Sequence, residues 1–525
     1  MLRLLPLAAL VAFSAGAAAQ GVCTNGTATL GAASYDCDRV DLLSTVPVGD
    51  SGPLGTSRLN DIWGWTDPQT GAEYALVGGL NGTVFVDVST PTAPRVLGRM
   101  LSTNETSSTW RDIKVYRDHA FVGSEAIGHG IQIFDLTRLR GLSADASRLF
   151  QPDARYGGVG RSHNVVMNEE TGFLYAVGAV SVGVDLPSAC NAKGFHAINV
   201  QTPTEPTFAG CFNDVASETG PRSPGYTHDA QCVVYRGPDT EHDGKEVCFA
   251  ANEDVVSIFD ASDKGNVTLL AQAAYPAFAY THQGWLTEDQ RFFIANDELD
   301  EVATAQDGGV PSQRTLVFDV SDLDDPEFSF QYDSGLTTID HNLYTLGQYA
   351  FEANYESGLR ILDLSQIGSA SPSLSEVGFF DTYPQGTSLQ FNGMWSVYPY
   401  FASGTVVASD RDNGLFVLRP DAEFTATGIV VCDGCTRPDV SLSPPSPNPA
   451  TGETTLRLRV LADQRVTARL YDVAGRELAT LYTGPVGSGT PVDLEVDARD
   501  LPVGVYVVRV TGETFTAAQR LTIAR

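Results

Sequence analysis

The chain has 525 residues, and its 64 acidic residues against 33 basic ones give a formal net charge of −31 at pH 7. This charge argues against nucleic acids and anionic membranes as partners, because their phosphates are bound by Lys and Arg. It is most simply the charge of a solubilising surface, and attraction of cations is the alternative.

The N-terminal segment, residues 1–19, has the pattern of a secretory signal peptide. Arg3 precedes an apolar run, and the small residues at 17–19 come directly before Gln20. The run is too short to span a membrane, and no later segment of the sequence is long and apolar enough to do so. The sequence therefore predicts an exported protein that passes through the periplasm.

Eight cysteines allow four disulfides in the oxidising compartment that such export implies. The connectivity is not fixed by sequence alone, but order and spacing suggest Cys23–Cys37, Cys190–Cys211, Cys232–Cys248 and Cys432–Cys435. The last two cysteines form a C-x2-C motif, which is a tight disulfide, a pair of thiols or half of a zinc site. Because a second such motif is missing, the zinc interpretation is the weakest of the three.

A repeated group of short strand-like runs occupies most of the chain. The clearest run of the repeat is apolar and mostly ends near Asp or Asn. Its clear copies lie at residues 83–88, 131–136, 195–200, 256–261, 315–320 and 359–364, and a weaker copy lies at 414–419. The copies are about 50 to 65 residues apart, with turn-forming residues between the runs. This period predicts a seven-bladed β-propeller over residues 20–437. The recurring aspartates at the ends of these runs are expected to cap turns.

The predicted ring of blades needs a closing strand. Residues 39–45 resemble the outer strands of the blades, and the last copy has only a weak fourth strand of its own. We expect residues 39–45 to supply this strand and so to remove an open sheet edge. Residues 424–431 are the competing candidate.

Half of the histidines share one position of the repeat, the start of the first run in four successive copies: His163, His228, His282 and His341. The first strand of a blade lines the central channel, and antiparallel pairing brings the end of the second strand to the same mouth. The histidines should therefore converge with the acidic residues that follow the second runs, Glu125, Asp254, Glu298 and Glu356.

Neutral imidazole and carboxylate groups together are a common ligand set for zinc and other transition metals. The eight residues form our candidate metal site, with the carboxylates as ligands or as hydrogen-bond partners of the ligands. The matching positions in other copies hold Asn60, Arg111 and Asn392. The site should therefore be displaced toward the third to sixth blades.

Two alternatives stay open for these polar residues. The histidines could instead tie neighbouring blades together through hydrogen bonds to turns, with no metal. Calcium is a less favoured metal than zinc, and it could bind the acidic loop that contains Asp297, Asp300 and Glu301.

A boundary near residue 440 separates the repeats from a second domain. Five prolines among serines indicate a semi-rigid linker at residues 438–449, namely Pro438, Pro444, Pro445, Pro447 and Pro449. Residues 450–525 alternate apolar and polar side chains in short runs, which predicts a small β-sandwich. The predicted fold class is therefore all-β, a seven-bladed β-propeller followed by a small C-terminal β-sandwich.

The tail is similar to the type IX secretion C-terminal sorting domain. The resemblance rests on residues 446–449 (SPNP), 470–476 (LYDVAGR) and 501–506 (LPVGVY). Position 446 is often aromatic in that family and is Ser here. The resemblance implies handling by the type IX secretion machinery and export across the outer membrane. It also implies surface attachment or release, usually after removal of the tail.

The body resembles the choice-of-anchor B family, which is built from LVIVD-type repeats. The repeat signature is VFVDVSTPTAP at residues 84–94 and its copies, and the segment from Cys23 to Cys37 looks like the N-terminus of that family. The resemblance covers about residues 23–420. It implies a propeller but no activity, because the family name describes variable anchoring.

Two functions are compatible with these patterns. The favoured one is a secreted or cell-surface binding module that presents a rigid propeller face to an unknown ligand, with a divalent metal at the channel mouth. The alternative is a metal-dependent extracellular hydrolase or lyase that uses this metal to activate water or polarise a substrate. The sequence has no nucleophile elbow, phosphate loop or His-Glu-x-x-His helix, so it leaves open whether the protein is an enzyme.

Overall fold

The computed structural model describes most of the chain beyond residue 19. The described residues are 20–183, 186–191, 193–214, 225–425, 440–442, 445, 450–460, 463–472, 477–488, 490–499, 501–502, 504–512 and 516–523. The predicted signal peptide and the motif of Cys432 and Cys435 lie outside these residues.

The fold is a β-propeller, and the described residues of the propeller form seven sheets of four or more strands. The sheets are numbered in chain order, and the strands of each sheet are given from the inner strand outward. The first three are: sheet 1, Leu59–Thr66, Glu73–Gly79, Gly82–Asp87 and Arg95–Leu101; sheet 2, Arg111–Tyr116, His119–Ser124, Ile131–Asp135 and Ala154–Tyr156; sheet 3, Asn164–Asn168, Phe173–Val177, Phe195–Asn199 and Thr207–Phe212. Consecutive strands within each sheet pair antiparallel.

The remaining sheets repeat this pattern. They are: sheet 4, Asp229–Val234, Glu246–Ala251, Val256–Asp260 and Thr268–Ala273; sheet 5, Thr281–Leu286, Phe292–Asp297, Arg314–Asp319 and Glu327–Asp333; sheet 6, Asn342–Leu346, Tyr349–Ala353, Leu359–Asp363 and Ser375–Phe380; sheet 7, Met394–Tyr398, Val406–Asp410, Gly414–Pro420 and Val40–Val46. Two N-terminal strands, Ala33–Asp38 and Thr27–Leu30, extend sheet 6 outward. Leu149–Phe150 runs parallel to the outer edge of sheet 1, and Val159–Arg161 pairs with Val180–Ser181.

Helices are short in the described part of the chain. They are the α-helices Asp300–Gln306 and Ala422–Thr425 and the 3-10 turns Thr103–Glu105, Leu136–Leu139 and Ser188–Asn191. None of the helices described here is long and apolar enough to cross a membrane.

The inner strands pack side by side around a central channel. Each contacts the inner strands of the two neighbouring sheets, and Met394–Tyr398 of sheet 7 returns to Leu59–Thr66 of sheet 1. Inner and middle strands are buried on both faces, as in Phe292–Asp297, whereas the outer strand Glu327–Asp333 is largely exposed or half-buried. The reason is that sheets packed face to face bury both sides of a strand, so such strands read as nearly continuous apolar runs.

The N-terminal strand closes the ring, as the sequence predicts. Val40–Val46 pairs antiparallel with Gly414–Pro420 as the outer strand of sheet 7. The competing segment begins at Phe424, which lies in the short helix Ala422–Thr425 instead. The first and last parts of the propeller are therefore joined by one sheet.

Disulfides and turn caps also agree with the sequence. Three of the four suggested pairs are bonded: Cys23–Cys37, Cys190–Cys211 and Cys232–Cys248. The aspartates that end the third strands accept a hydrogen bond from the backbone N–H two residues later, with donors at Ser89, Thr137, Ser262, Ser321 and Ser365. This is the turn geometry that Asp favours.

The tail forms two sheets with a hydrophobic core of their own. One contains Val440–Leu442, Glu453–Val460 and Val492–Asp497; the other contains Glu477–Val486, Gln464–Asp472, Gly504–Thr511 and Thr516–Ile523. Leu456 and Leu458 of the first sheet and Val508 and Leu521 of the second are fully buried in one cluster. The alternating runs of the sequence thus become two sheets packed on a shared core.

Candidate metal centre

The four predicted histidines form a continuous row around one end of the channel. The ring centroids of successive members lie 4.3, 4.2 and 4.4 Å apart from His163 through His228 and His282 to His341. His163, His228 and His341 directly precede the inner strands of their sheets, and His282 is the second residue of its inner strand. In sheet 5 a β-bulge leaves His282 outside the hydrogen-bonded ladder, and a bulge re-aims the side chain that it carries. The packing of the inner strands thus sets one imidazole beside the next.

Three of these histidines tie their sheets to the next one. Nδ1 of His228 lies 2.8 Å from the carbonyl oxygen of His282, and Nδ1 of His282 lies 3.1 Å from that of His341. Nδ1 of His341 lies 2.6 Å from the carbonyl oxygen of Trp395. A carbonyl only accepts hydrogen bonds, so each Nδ1 carries the proton, and Nε2 of the neutral ring keeps a lone pair. Each of these three histidines therefore links two sheets through Nδ1 and keeps Nε2 available as a metal ligand.

Glu298 lies against two of these free nitrogens. Its Oε2 is 3.7 Å from Nε2 of His282, and its Oε1 is 3.8 Å from Nε2 of His341. Ligand atoms from the three residues lie within 4.8 Å of one another. The Tyr355 hydroxyl donates to Oε1 of Glu298 at 2.6 Å and holds the carboxylate in place. Two imidazoles and one carboxylate at this spacing suit a zinc-like ion.

His163 ends the row with a different partner. Its Nδ1 lies 2.7 Å from Oε1 of Glu125. The hydrogen bond from His163 lowers the pKa of Glu125, against the opposing effect of burial. A carboxylate at Nδ1 fixes the tautomer and the orientation of the ring. Since both residues line the cavity described next, the pair is placed to accept a proton from a bound molecule.

A cavity of about 610 Å³ opens beside the histidine row. Its lining combines His163, His228 and Glu298 with aromatic and cationic side chains, including Trp110, Tyr226, Tyr280, Tyr355, Trp395 and Arg411. This volume is typical of pockets that hold small molecules, and so is a wall of aromatic groups with a few polar ones.

Two of the predicted acidic residues take other roles. Glu356 accepts hydrogen bonds from the backbone and hydroxyl of Ser388 and from the side chain of Asn392, so it fixes the loop that forms one cavity wall. Asp254 is buried in the turn after its strand and does not line the cavity. The positive φ of Glu253, 68°, turns the chain there. The structure therefore groups Glu125 and Glu298, but not Glu356 or Asp254, with the histidines.

Several residues of the site were not predicted from the sequence. Glu253 interacts with Tyr280, which lines the cavity. Tyr226 and Tyr280 each lie two residues before a histidine that was selected, His228 and His282. Their proximity to the histidine triplets was the only available signal. Arg411 follows the second strand of sheet 7, where the sequence analysis looked for carboxylates.

Burial sets the protonation of this site. It lowers the pKa of His228, His282 and His341 well below the ordinary histidine value, and neighbouring imidazoles lower the pKa of the first two further. Burial raises the pKa of Glu298 to about 7, opposed by the hydrogen bond from Tyr355. The three histidines are therefore neutral near pH 7, which is the form that binds metal.

Because His228 is buried in its neutral form, we expect the difference in unfolding free energy between the wild type and His228→Asn to depend on pH. In the unfolded chain histidine titrates at about 6.5, so below that pH the unfolded state takes up a proton that folded His228 refuses. The wild type should lose about 1.4 kcal/mol per pH unit there relative to His228→Asn, which cannot titrate. Urea unfolding of both chains without metal, between pH 7.5 and 5, measures this difference. A difference that stays constant over the range would show that folded His228 also becomes protonated.

Comparisons with known families agree with this architecture. A model of the LVIVD repeat matches residues 72–102, and a model of the secretion system C-terminal sorting domain matches residues 446–524. No significant match is found among curated proteins.

Solved structures similar to this chain include propellers. The β-propeller domain of Swd1 from Myceliophteria thermophila has 11% identity and a TM-score of 0.43, over 70% of this chain and 98% of that one. The C-terminal WD40 domain of Sif2 has 10% identity and a TM-score of 0.40, over 69% and 96%. A protein from Lactobacillus plantarum has 12% identity and a TM-score of 0.39, over 84% and 99%.

The location of the protein follows from the tail, because the sorting domain marks a chain for type IX secretion to the cell surface or beyond. The protein is an LVIVD-repeat β-propeller with a C-terminal type IX sorting domain.

Proposed function

We propose that the protein is an extracellular binding module that takes a small ligand into the cavity at the histidine end of its channel, with a zinc-like ion held by His282, His341 and Glu298. The observation that carries the proposal is the approach of both Nε2 atoms to the Glu298 carboxylate, 3.7 and 3.8 Å, while both Nδ1 atoms donate to backbone carbonyls. Fixed, neutral imidazoles with one ring nitrogen free are the usual form of histidine ligands.

The surroundings of the three ligands favour a site that accepts an external group. Three protein ligands leave a tetrahedral ion one position for a water or a ligand atom. Of the three ligands Glu298 lines the cavity, and Arg411 lines it as well; the Nε of Arg411 is buried without a hydrogen-bond partner. A guanidinium next to a metal suits a ligand with an anionic oxygen, such as a carboxylate. We therefore expect a small ligand that carries this group.

Metal binding can be tested on the untagged chain from residue 20. Native mass spectrometry after loading with zinc and gel filtration should show one bound ion. Glu298→Gln keeps the shape but removes the charge, and it should weaken zinc binding at least about 100-fold, because even outer-shell partners are worth 10–100-fold. Glu241→Gln, on an exposed turn, is the matched control and should bind like the wild type. Zinc-free wild type, or equal affinity in Glu298→Gln, would contradict the site.

The open position can be tested with cobalt in place of zinc. The d–d absorption of the cobalt-loaded chain should change when azide or acetate is added, because an external anion replaces a bound water. The spectrum of a closed four-ligand site would stay unchanged, and the ion would then be structural only.

A second function, metal-dependent hydrolysis, is favoured by one specific observation. The pair of His163 and Glu125 lies in the same cavity, with Nδ1 and Oε1 2.7 Å apart. A histidine oriented by a carboxylate is a usual general base, and an open metal position activates water. Zinc-dependent cleavage of an activated ester that is lost in His163→Asn would support the enzyme. Anion binding to the cobalt chain without such cleavage would support the binding module.

A further inference from the structure

A second group of carboxylates lies buried between sheets 5 and 6. Asp300 and Glu301 begin the helix Asp300–Gln306, and Asp340 comes just before the inner strand of sheet 6. One carboxylate oxygen from each lies within 4.8 Å of the others. Their side chains are nearly inaccessible, with exposed fractions of 3%, 0% and 2%. Three acidic groups are thus held together away from water.

Four oxygens in this group accept no hydrogen bond. They are Oδ1 of Asp300, Oε2 of Glu301 and both carboxylate oxygens of Asp340. The other oxygen of Asp300 accepts from Nε of Arg314, and Oε1 of Glu301 accepts from the backbone of Asp340 at 3.4 Å. Buried polar atoms nearly always have a partner, and buried charges are paired or coordinate a metal. The free oxygens therefore indicate a site that can bind a cation.

The charge of the group matches a divalent ion. Burial raises the pKa of all three carboxyl groups, so their ionised form requires a neutralising cation. When all three are ionised, they and the one guanidinium of Arg314 together carry two negative charges. No further Lys or Arg contacts these carboxylates among the described ion pairs. A doubly charged cation would therefore neutralise the group and satisfy its free oxygens at once.

We propose that Asp300, Glu301 and Asp340 bind a calcium ion. All candidate ligand atoms are oxygens, which hard cations prefer, whereas zinc favours nitrogen and sulfur. Calcium accepts six to eight oxygens in irregular geometry, so four carboxylate oxygens plus carbonyls or water form a plausible shell. Magnesium loses its water reluctantly and demands an octahedron, so a dry carboxylate cluster suits it less.

The neighbouring aspartate is not part of this proposal. Asp297 accepts hydrogen bonds from the backbone of Ala279 and Tyr280 and from the Tyr275 hydroxyl, at 2.6 to 2.8 Å. Its oxygens are therefore occupied. The proposed calcium ligand that was not predicted from the sequence is Asp340, which comes from the next sheet.

A calcium ion at this site would stabilise the backbone next to the histidine row. Asp340 is the residue before His341, and Asp300 follows Glu298 by two residues. An ion that joins Asp300, Glu301 and Asp340 would therefore hold sheet 5 against sheet 6 close to Glu298 and His341 in the chain. This inference does not depend on zinc binding at the histidines.

The test compares the metal-free wild type with Asp340→Asn in a thermal unfolding experiment. Calcium should raise the melting temperature of the wild type by several degrees, since it binds only the folded state. Asp340→Asn keeps the side-chain shape but removes one charge. Without calcium it should be at least as stable as the wild type, and it should lose the response to calcium. Asp243→Asn, on an exposed turn, should respond like the wild type.

Further measurements make the assignment specific. Terbium is a luminescent substitute for calcium, and nearby tyrosines such as Tyr275 should sensitise its emission in the wild type. Added calcium should displace the terbium and remove this emission. Asp340→Asn should show no terbium emission with or without calcium. The calcium response should persist in His282→Asn/His341→Asn. A wild type without a calcium response, an Asp340→Asn chain that keeps it, an equal response to magnesium, or its loss in the histidine variant would each overturn the calcium assignment.

Discussion

A chain that starts at residue 48 is expected to lose the cooperative unfolding transition of the propeller. The strand Val40–Val46 pairs with Gly414–Pro420 and buries four apolar side chains, Val40, Leu42, Leu43 and Val46, which are at most 6% exposed. Burial of each contributes about 1.5–3 kcal/mol, so their loss costs on the order of 6–12 kcal/mol. This is comparable with the whole stability of a typical domain, about 5–15 kcal/mol. The truncation also leaves an open sheet edge, which promotes aggregation.

Circular dichroism during heating measures this outcome, and point variants refine it. Leu42→Ala should reduce the free energy of unfolding by about 2–5 kcal/mol, because it leaves a cavity in the core. Thr45→Ala, at a half-buried position of the same strand, should change it by less than about 1 kcal/mol. A chain that ends at residue 439 is the control at the other terminus and should keep the transition, since the tail has its own core. A normal transition in the chain from residue 48 would refute the closing role.

Replacement of His282 and His341 by Asn is expected to remove the bound transition metal with little effect on the metal-free fold. The Asn side-chain nitrogen lies where histidine has Nδ1, so it can still donate to the carbonyls of His341 and Trp395 that the wild type uses. It has nothing at the position of Nε2. The wild type should gain about 2.7 kcal/mol of stability at a zinc concentration 100-fold above the dissociation constant, and the variant should gain none.

The complementary variant separates the two roles of the same residues. Gln places its nitrogen near the position of Nε2, so the carbonyls of His341 and Trp395 lose one donor each and keep only the side-chain amides of Asn296 and Asn342. His282→Gln/His341→Gln should therefore lose about 1–3 kcal/mol without metal, from two hydrogen bonds between sheets. His119→Asn, away from the cavity, should behave like the wild type in both measurements. Zinc-dependent stabilisation that survives in the Asn variant would exclude these nitrogens as ligands.

The residues that were predicted correctly are those whose positions follow from a repeat or from local chain geometry. The register of the histidines comes from the repeat, and equal places in equal repeats face the same channel. The pairing of Cys232 with Cys248 joins two neighbouring strands of one sheet. The aspartates at turns such as Asp87 depend on the two residues that follow them. In each case the determining contacts are close in sequence or recur with the period.

The sequence carries less information where a backbone turn or a neighbouring loop influences the direction of a side chain. Glu253 and Asp254 are adjacent in sequence, and it is Glu253, in a left-handed conformation, that interacts with Tyr280. Glu356 follows its strand as Glu298 does, but the loop of Ser388 and Asn392 takes up its oxygens. No periodic pattern carries this information, because loops between blades differ in length and composition.

The sequence by itself determined the all-β repeat, the export of the protein and the common register of four histidines. The reason is that the repeat period, the turn residues and the sorting motifs are local properties of the chain. Only the tertiary structure decided that His282, His341 and Glu298 share free ligand atoms beside a cavity. It also decided that Asp340 joins Asp300 and Glu301 in a buried cluster. The physical reason is that these groups lie on different sheets, so their distances depend on the packing of one blade against the next.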